Sequence, residues 1–197
     1  MRIGLFFGSF NPVHSGHLIL AAHFTNENIV DECWFIISPQ NPFKEKKSLL
    51  NEQHRLNLVR AALEGETKIK ASNIEFSLPR PSYTVDTLLY LREKYPQHEF
   101  YILMGSDGLA NFPRWKNYEQ ILEMAGIFVY PRPGHTAETF THKGIQVVEA
   151  PLIEISSTRI RKLIRAHKNY RYLVPDLVKE IIDREGYYLS SLENEAQ

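Results

Sequence analysis

Short, continuous apolar runs alternate along this chain with longer segments in which apolar residues recur at helical spacing. A continuous apolar run of about five residues is typical of a strand that is buried on both faces of a sheet. Strands that alternate with helices indicate β-α-β units and therefore an α/β fold with a mainly parallel sheet. The predicted strands are residues 3–7, 33–37, 100–104, 127–130 and 146–149, and residues 68–76 are predicted to be extended.

The segments between these strands predict helices, because their apolar side chains recur one turn apart. Gly65 follows the second predicted helix and Pro96 ends the third, as expected at helix ends. Ligands of parallel α/β sheets bind at the carboxyl ends of the strands, so a chemically active motif should follow a strand and precede a helix. The predicted helices are residues 17–28, 51–63, 84–95, 118–124, 157–166 and 175–185.

Composition excludes several classes of protein. The 197 residues include 23 Lys and Arg against 23 Asp and Glu, so the formal net charge is zero. A neutral chain is a poor binder of nucleic acid or of an acidic membrane surface, although it can still carry a local site for a small anion. Hydrophobic residues make up 43% of the chain, which is enough for a core. We expect one domain at residues 1–189 and a polar tail at residues 190–197.

Cysteine content and hydropathy predict the cellular setting. The single cysteine, Cys33, cannot form an intramolecular disulfide or a cysteine-rich zinc site. The apolar run near the N-terminus is too short for the core of a signal peptide, and no run approaches the roughly 20 residues of a membrane helix. We therefore expect a soluble cytoplasmic protein that acts on small molecules and binds neither nucleic acid nor a membrane.

The segment after the first predicted strand is the first candidate site, and it reads GSFNPVHSGH from Gly8 to His17. Gly8 allows a sharp turn and a close approach of ligand to backbone. The start of the following helix offers unpaired N–H groups and a partial positive charge to a phosphate. His14 and His17 could donate hydrogen bonds to phosphoryl oxygens at that point. Two surface histidines beside a glycine turn also occur without any function, so this motif does not decide the matter by itself.

A second candidate segment, near the other end of the chain, reads ISSTRIR and ends at Arg161. It places the hydroxyls of Ser156, Ser157 and Thr158 at the predicted start of a helix, and Arg161 could reach back toward them. Hydroxyls, free N–H groups and a guanidinium group together suit a polyphosphate, whereas the hydroxyls alone could be ordinary helix caps. Lys44 follows the second predicted strand and is a further candidate for a phosphate contact.

Taken together, GSFNPVHxGH and ISSTxIR resemble the HxGH nucleotidyltransferase superfamily. The match is specific because both motifs occur in the right order and at the expected places of the β-α pattern. The resemblance implies a Rossmann-like, doubly wound, mainly parallel sheet flanked by helices. Further segments resemble bacterial nicotinate-nucleotide adenylyltransferases over residues 2–188, namely PSYTVDTL from Pro81, GSD from Gly105, FPRW from Phe112 and RPG from Arg132.

The resemblance implies an activity. The AMP moiety of ATP would be transferred to nicotinate mononucleotide, giving nicotinate adenine dinucleotide and pyrophosphate in NAD biosynthesis. The mononucleotide phosphate would attack the α-phosphorus directly, without a covalent enzyme intermediate. Mg²⁺ would bridge the phosphates through substrate oxygens and water, with no protein ligand. Three alternatives stay open: transfer to nicotinamide mononucleotide, transfer to another phosphate monoester such as phosphopantetheine, and a non-catalytic nucleotide-binding module. Homo-oligomerisation is also left open.

The resemblance also implies a role for individual residues. The expected catalytic residues are His17, His14, Arg161 and Lys44. ATP is expected to contact Gly8, Ser9, Phe10, His14, His17, Gly105, Asp107, Ser156, Ser157, Thr158 and Arg161. Nicotinate mononucleotide is expected to contact Ser9, Phe10, Lys44, Tyr83, Thr84 and Trp115.

Two of these residues, Trp115 and Asp107, also have a structural interpretation. Trp115 could stack on the nicotinate ring or could be a plain core aromatic. The Thr84 hydroxyl, at a helix start, suits a carboxylate better than an amide. Asp107 could accept hydrogen bonds from ribose hydroxyls or could cap a helix. The chain also departs from the family at Phe43, where a histidine is usual, so the phosphate contact of that histidine is expected to be lost and Lys44 to take a larger share.

Overall fold

A computed structural model of the chain describes residues 1–39, 49–135 and 142–189. Within those ranges six strands form one sheet, and every neighbouring pair of strands is parallel. The prediction of a mainly parallel α/β sheet is therefore confirmed. The strands are β1 (Arg2–Gly8), β2 (Glu32–Ile37), β3 (Ile69–Ser72), β4 (Glu99–Gly105), β5 (Gly126–Tyr130) and β6 (Ile145–Val147).

All six predicted helices are present, with ends that differ from the prediction by a residue or two. Short 3₁₀ helices also occur at Ile74–Ser77, Phe112–Arg114 and Arg171–Leu173. Among the described residues, no helix is both long and apolar enough to cross a lipid bilayer. The α-helices are α1 (Ser15–Asn26), α2 (Glu52–Ala62), α3 (Thr84–Lys94), α4 (Ser106–Leu109), α5 (Tyr118–Met124), α6 (Ser157–Arg165) and α7 (Asp176–Glu185).

One extended segment was predicted too long. Residues 68–76 were expected to be extended, but β3 ends at Ser72 and the chain then turns into a 3₁₀ helix. This turn places the carboxylate of Glu75 in the interior, where it is 2% exposed and accepts a hydrogen bond from the Thr87 hydroxyl at 2.9 Å. Ile74 and Phe76 alternate with polar residues as a strand would, so the sequence pattern did not reveal the turn.

The order of the strands across the sheet is β3-β2-β1-β4-β5-β6. The chain builds outward from β1 in one direction and then, from β4 onward, in the other. β1 therefore lies in the middle, with Gly8 beside Ile37 at the carboxyl end of β2. In doubly wound sheets the crevice at this reversal of order is the usual ligand-binding position.

Helices cover both faces of the sheet, so the central strands are buried on both sides. Along β1, Ile3 and Leu5 belong to the core cluster that includes α3 and α5. Phe6 points the other way, into the cluster that includes α1, α2, α6 and α7. This alternation explains why the strands read as continuous apolar runs rather than as alternating ones.

Helix α3 offers a matched pair of leucines for testing this core. Leu88 is fully buried, whereas its neighbour Leu89 is 46% exposed. We expect Leu88→Ala to lower the free energy of unfolding by about 2–5 kcal/mol, because it removes buried methyl groups and leaves a cavity. Leu89→Ala should change it by less than about 0.5 kcal/mol. Urea unfolding monitored by circular dichroism measures both values. Equal effects of the two substitutions would contradict the burial of Leu88 in the core and the exposure of Leu89.

Candidate active site

A cavity of about 520 Å³ opens at the carboxyl edge of the sheet. Its wall combines the end of β1, the loop from β1 to α1, the start of α6 and residues that follow β4 and β5. The structure thus brings together two motifs that lie far apart in the sequence, although their roles in binding stay predictions. The predicted residues on this wall are Gly8, Ser9, Phe10, His14, His17, Asp107, Ser156, Ser157, Thr158 and Arg161.

The loop after β1 is built around the ring of Phe10. This ring lies 4.9 Å from the ring of Phe35 and 5.0 Å from the ring of His17, measured between centroids. A Cβ atom on Gly8 would lie 2.8 Å from the Phe10 ring, so the close packing requires glycine. The backbone of Phe10 itself is left-handed, with φ of 46°, which is uncommon and costly for a residue with a side chain. The sequence predicted a substrate contact for Phe10 but did not indicate this packing of its ring.

His14 and His17 stack on each other at the start of α1. Their ring centroids are 3.6 Å apart and the rings are inclined by 19°. The backbone N–H of His14 donates to Nδ1 of His17 at 3.2 Å. Because Nδ1 of His17 accepts this hydrogen bond, the proton of the neutral ring lies on Nε2. This arrangement leaves His17 with a donor on the ring edge that does not face the backbone.

Side chains from the start of α6 hold the loop after β1. The Ser157 hydroxyl donates to the carbonyl oxygen of Pro12 at 2.8 Å. Nη1 of Arg161 donates to the carbonyl oxygen of Asn11 at 2.6 Å. The predicted reach of Arg161 toward the start of its helix is therefore seen. These contacts also give Ser157 and Arg161 a structural task that the sequence did not indicate.

The other two hydroxyls of this motif lie at the helix start itself. Ser156 is the N-cap of α6, and its hydroxyl accepts a hydrogen bond from the Arg159 N–H at 3.3 Å. The Thr158 hydroxyl accepts one from Nη2 of Arg161 at 3.3 Å. Residues 148–156 precede the helix without regular structure. Both hydroxyls still line the cavity, so capping and ligand contact are compatible.

The segment after β4 supplies a carboxylate and meets a second arginine. Asp107 is not a helix cap, because α4 has Gly105 as its N-cap. A Cβ on Gly105 would collide with Oδ1 of Asp107 and would lie 2.9 Å from Cγ of Arg132. Nε of Arg132 lies 3.8 Å from Oδ1 of Asp107, and its Nη1 donates to the carbonyl of Ile153 at 3.2 Å. Gly105 therefore permits an Asp107–Arg132 pair on the cavity wall.

The residues expected at the nicotinate end form a separate group. Tyr83, Thr84 and Trp115 do not belong to the described wall of the cavity. Lys116, next to Trp115 in the chain, places Nζ 4.5 Å from the centre of the Tyr83 ring. It also lies 3.2 Å from a carboxylate oxygen of Asp86, in the first turn of α3. The structure thus brings the start of α3 and the segment of Trp115 together, beside the cavity rather than in it.

Trp115 itself is half-buried and packs against the core cluster on its side of the sheet, with its ring 5.4 Å from that of Phe112. Part of its surface therefore packs in the core, as the structural interpretation expected.

Lys44 and Phe43 belong to residues 40–48, which lie outside the described residues. Their predicted contacts stay predictions.

Sequence reasoning missed Arg132 on the cavity wall and also a second arginine that supports the wall from behind. Arg55 of α2 is fully buried, and its guanidinium group donates to four backbone carbonyls. The acceptors are Ser9 at 2.5 Å, Leu50 at 2.8 Å, Ser38 at 2.9 Å and Pro39 at 3.2 Å. Its spacing in α2 could have indicated this burial. Arg55 lies three residues before Leu58 and four before Val59, so it is on the side of the helix that faces the core.

Comparison with known proteins identifies the family. The model of the family described as cytidylyltransferase-like matches residues 5–163. The chain belongs to that family. It is 51% identical over 189 residues to a protein of Cytophaga hutchinsonii named "Probable nicotinate-nucleotide adenylyltransferase", covering 95% of this chain and 98% of that one. A protein of Bacteroides fragilis with the same name is 42% identical over 185 residues, covering 93% and 92% of the two chains.

A solved structure shares this fold. A Plasmodium falciparum nicotinic acid mononucleotide adenylyltransferase complexed with NaAD superimposes with a TM-score of 0.80, covering 95% of this chain and 97% of that one. The two sequences are 21% identical. The similarity therefore confirms the Rossmann-like α/β architecture, and the names of the closer relatives confirm the resemblance to nicotinate-nucleotide adenylyltransferases.

The burial of His14 leads to a prediction about pH. His14 is 5% exposed, and burial together with the charge of Arg132 lowers its pKa from 6.5 to about 4. The folded protein therefore keeps His14 neutral between pH 4 and 6.5, where the unfolded chain takes up a proton. We expect this residue to contribute about 3 kcal/mol of stability above pH 6.5, and to lose that contribution as the pH falls toward 4.

Two measurements check this expectation. The imidazole C2–H resonance of His14, assigned with the His14→Gln variant, should titrate near pH 4. The difference in unfolding free energy between wild type and His14→Gln should shrink as the pH falls from 6.5 to 4. Titration of His14 near its ordinary pKa in the folded protein would contradict the argument.

Proposed function

We propose that this chain transfers the AMP moiety of ATP to nicotinate mononucleotide, giving nicotinate adenine dinucleotide and pyrophosphate in NAD biosynthesis. The observation that carries the proposal is the convergence of the β1–α1 loop and the start of α6 on one cavity, with His17 and Arg161 on its wall. Membership of the cytidylyltransferase-like family supports nucleotidyl transfer. The names of the bacterial relatives support nicotinate mononucleotide as the acceptor.

The charges on the cavity wall favour a polyphosphate. Among the described residues of the wall, Arg132 and Arg161 are cationic and Asp107 is the one carboxylate. Asp107 is already paired with Arg132, so the Arg161 charge is left to act on a ligand. In this proposal the start of α6, with Ser156, Ser157, Thr158 and Arg161, holds the β- and γ-phosphates. Backbone N–H groups in the first turn of α6, a helix of nine residues, add to that attraction.

The reaction is a direct displacement at the α-phosphorus. An oxygen of the mononucleotide phosphate forms a bond to that phosphorus while the bond to the bridging oxygen of the β-phosphate breaks, and pyrophosphate leaves. The attacking phosphate is ionised at neutral pH, so no general base is needed, and positioning and charge neutralisation are the tasks of the protein. Cys33 offers no competing covalent route, because it is fully buried and burial raises the pKa of its thiol.

The two histidines have different tasks in this mechanism. His17 would donate from Nε2–H to a non-bridging oxygen of the α-phosphate, where negative charge accumulates as the reaction proceeds. The neutral ring of His14 stacks on His17 and fixes the direction of that donor. Gly8, Ser9 and Phe10 present backbone to the phosphates of one or both substrates. Lys44 is retained in the proposal as a further phosphate contact.

The two nucleoside ends are assigned to opposite sides of the cavity. The adenosine of ATP would lie along Gly105 and Asp107, where the carboxylate can accept from ribose hydroxyls. The mononucleotide would extend from Ser9 and Phe10 toward Tyr83, Thr84 and Trp115. The first N–H groups of α3 and the Thr84 hydroxyl would receive the nicotinate carboxylate, since donors suit two acceptor oxygens better than an amide.

Mg²⁺ is proposed to enter with the phosphates. The described residues contain no cluster of three or more His, Cys, Asp or Glu side chains that could hold a metal ion. The one carboxylate on the described wall, Asp107, is paired with Arg132. These donors fit an ion that is bound by phosphate oxygens and water. Such an ion neutralises phosphate charge when bound.

We further propose that residues 1–189 act as one catalytic domain with residues 190–197 as a tail, in the cytoplasm and on small-molecule substrates.

Steady-state assays with ATP and each of three acceptors test the proposed transfer to nicotinate mononucleotide. Nicotinate mononucleotide should give pyrophosphate with a higher kcat/KM than nicotinamide mononucleotide or phosphopantetheine. Equal or better use of the amide would overturn the preference for the acid. Binding of ATP without pyrophosphate formation from any acceptor would favour a non-catalytic module.

Removal of the proposed phosphate donor tests the assignment of His17. We expect His17→Ala to lower kcat by at least about a hundredfold, the scale for the loss of one transition-state donor. His98→Ala is the matched control, because His98 directly precedes β4 at the opposite edge of the sheet. Pyrophosphate release measures both variants. A His17→Ala enzyme with near-normal kcat would refute the role.

Removal of the proposed stacking ring tests the mononucleotide end. We expect Trp115→Ala to raise the KM for nicotinate mononucleotide about fivefold and to leave the KM for ATP unchanged, because an aromatic contact of this kind contributes about 1 kcal/mol. Trp34→Ala removes the other tryptophan, which packs on Tyr95 and Phe100, and serves as the control. A change in the KM for ATP instead would reverse the assignment of the two ends.

A further inference from the structure

Arg55 is a buried cation whose hydrogen bonds end on backbone rather than on a carboxylate. Its guanidinium group reaches the carbonyls of Ser9, Ser38, Pro39 and Leu50. The Glu52 carboxylate, one turn earlier in α2, pairs with Arg80 at 2.6 Å instead. A buried charge is tolerated only when it is well hydrogen-bonded, so these carbonyls are held firmly in place.

The carbonyl of Ser9 is the contact with a consequence for the cavity. In a trans peptide the C=O and the following N–H point in opposite directions. Arg55 draws the Ser9 carbonyl into the interior, so the N–H of Phe10 points away from Arg55. Within the described residues no group accepts a hydrogen bond from this N–H, and Phe10 lines the cavity. A free N–H on the wall of a cavity that suits phosphates is a ready donor.

The backbone at Phe10 needs support to keep this orientation. Its left-handed φ of 46° is unfavourable for a phenylalanine, and such residues persist only where their surroundings impose the conformation. The ring is held by packing on Gly8 and Phe35. On the other side of the peptide, the Ser9 carbonyl is held by Arg55. Ring packing and the guanidinium contact together keep the peptide from turning over.

The remaining contacts of Arg55 extend the same support to a second loop. Pro39 and Leu50 flank residues 40–48, and Arg55 bonds to the carbonyl of each. The Leu50 N–H in turn donates to Oδ1 of Asn11 at 3.2 Å, in the loop after β1. One side chain therefore fixes the loop after β1 relative to both residues that bracket the segment with Lys44.

We propose that Arg55 is a positioning residue for adenylyl transfer, which holds the Ser9 carbonyl so that the Phe10 N–H points into the cavity and donates to a phosphoryl oxygen of the bound nucleotide. The identity of that nucleotide rests on the proposed function. The guanidinium group itself stays behind the loop and does not touch the substrate. Burial lowers the pKa of Arg55 to about 10, so it remains charged at neutral pH.

Kinetics of three substitutions at Arg55 test the positioning role. Arg55→Met removes the charge and every donor, and Arg55→Lys keeps the charge but cannot reach all the carbonyls at once. We expect kcat to fall about a hundredfold in Arg55→Met and by less in Arg55→Lys, with little change in the KM for the mononucleotide, because a misaimed donor weakens the transition state. In Arg55→Ala, added guanidinium ion should restore part of kcat.

Two controls on the same helix separate positioning from stability. Arg60→Met makes the same change at an exposed position, and Val59→Ala removes core packing beside Arg55. Arg60→Met should behave as wild type, and Val59→Ala should lower Tm without the fall in kcat. If Arg55→Met lowers Tm but retains the kcat of wild type, Arg55 is merely structural and the proposal is wrong.

A measurement on the wild-type protein keeps the proposal testable even where the variants fail to fold. In ¹H–¹⁵N spectra the Phe10 amide should shift downfield when ATP is added, and in Arg55→Lys this shift should be reduced. The experiment needs ATP binding but no turnover, so it is independent of which acceptor the enzyme uses. ATP binding that leaves the wild-type Phe10 amide unshifted would overturn the proposal, whereas failure of pyrophosphate formation with a shifted amide would overturn only the proposed function.

Discussion

Two hydrogen bonds between opposite ends of the chain hold the cavity together. They join Ser157 to Pro12 and Arg161 to Asn11, across 145 and 150 residues of sequence. These carbonyls lie in the loop after β1, outside any helix or strand, so no hydrogen bond of a helix or sheet satisfies them. The donors therefore come from α6, and the same contacts bring the start of that helix to the loop. Without them the two motifs would not be held together on one cavity wall.

The fold was largely predictable because its physical signals are strong and local. Continuous apolar runs identified the central strands, since each is covered by helices on both faces. Helix ends followed caps and breakers, as at Asn51, whose side chain accepts from the Gln53 N–H. The error at residues 73–76 has the opposite origin. There the burial of a single carboxylate, that of Glu75, turns the chain, and an alternating pattern of apolar residues carries no sign of such a long-range contact.

The sequence predicted only those residues of the candidate site that belong to its motifs, which lie after β1, after β4 and at the start of α6. His14, His17, Ser157 and Arg161 meet on one wall because each follows a strand or begins a helix at the same edge of the sheet. Arg55 was not predicted, because its partners are backbone carbonyls. Every residue carries a backbone carbonyl, so the sequence cannot show which carbonyls accept hydrogen bonds from a given side chain. The stacked geometry of the two histidines and the left-handed backbone of Phe10 likewise depend on packing between distant segments.

The central position of β1 has a consequence for how the protein is made. β1 is synthesised first, yet one of its neighbours in the sheet, β4, begins only at Glu99, and the donor for the Asn11 carbonyl is Arg161. Pairing over such separations is slow and cannot start until the later segment exists. A nascent chain therefore carries the loop after β1 for most of translation without the helix that completes the cavity wall. The complete cavity wall can therefore form only late in synthesis, after α6 has been made.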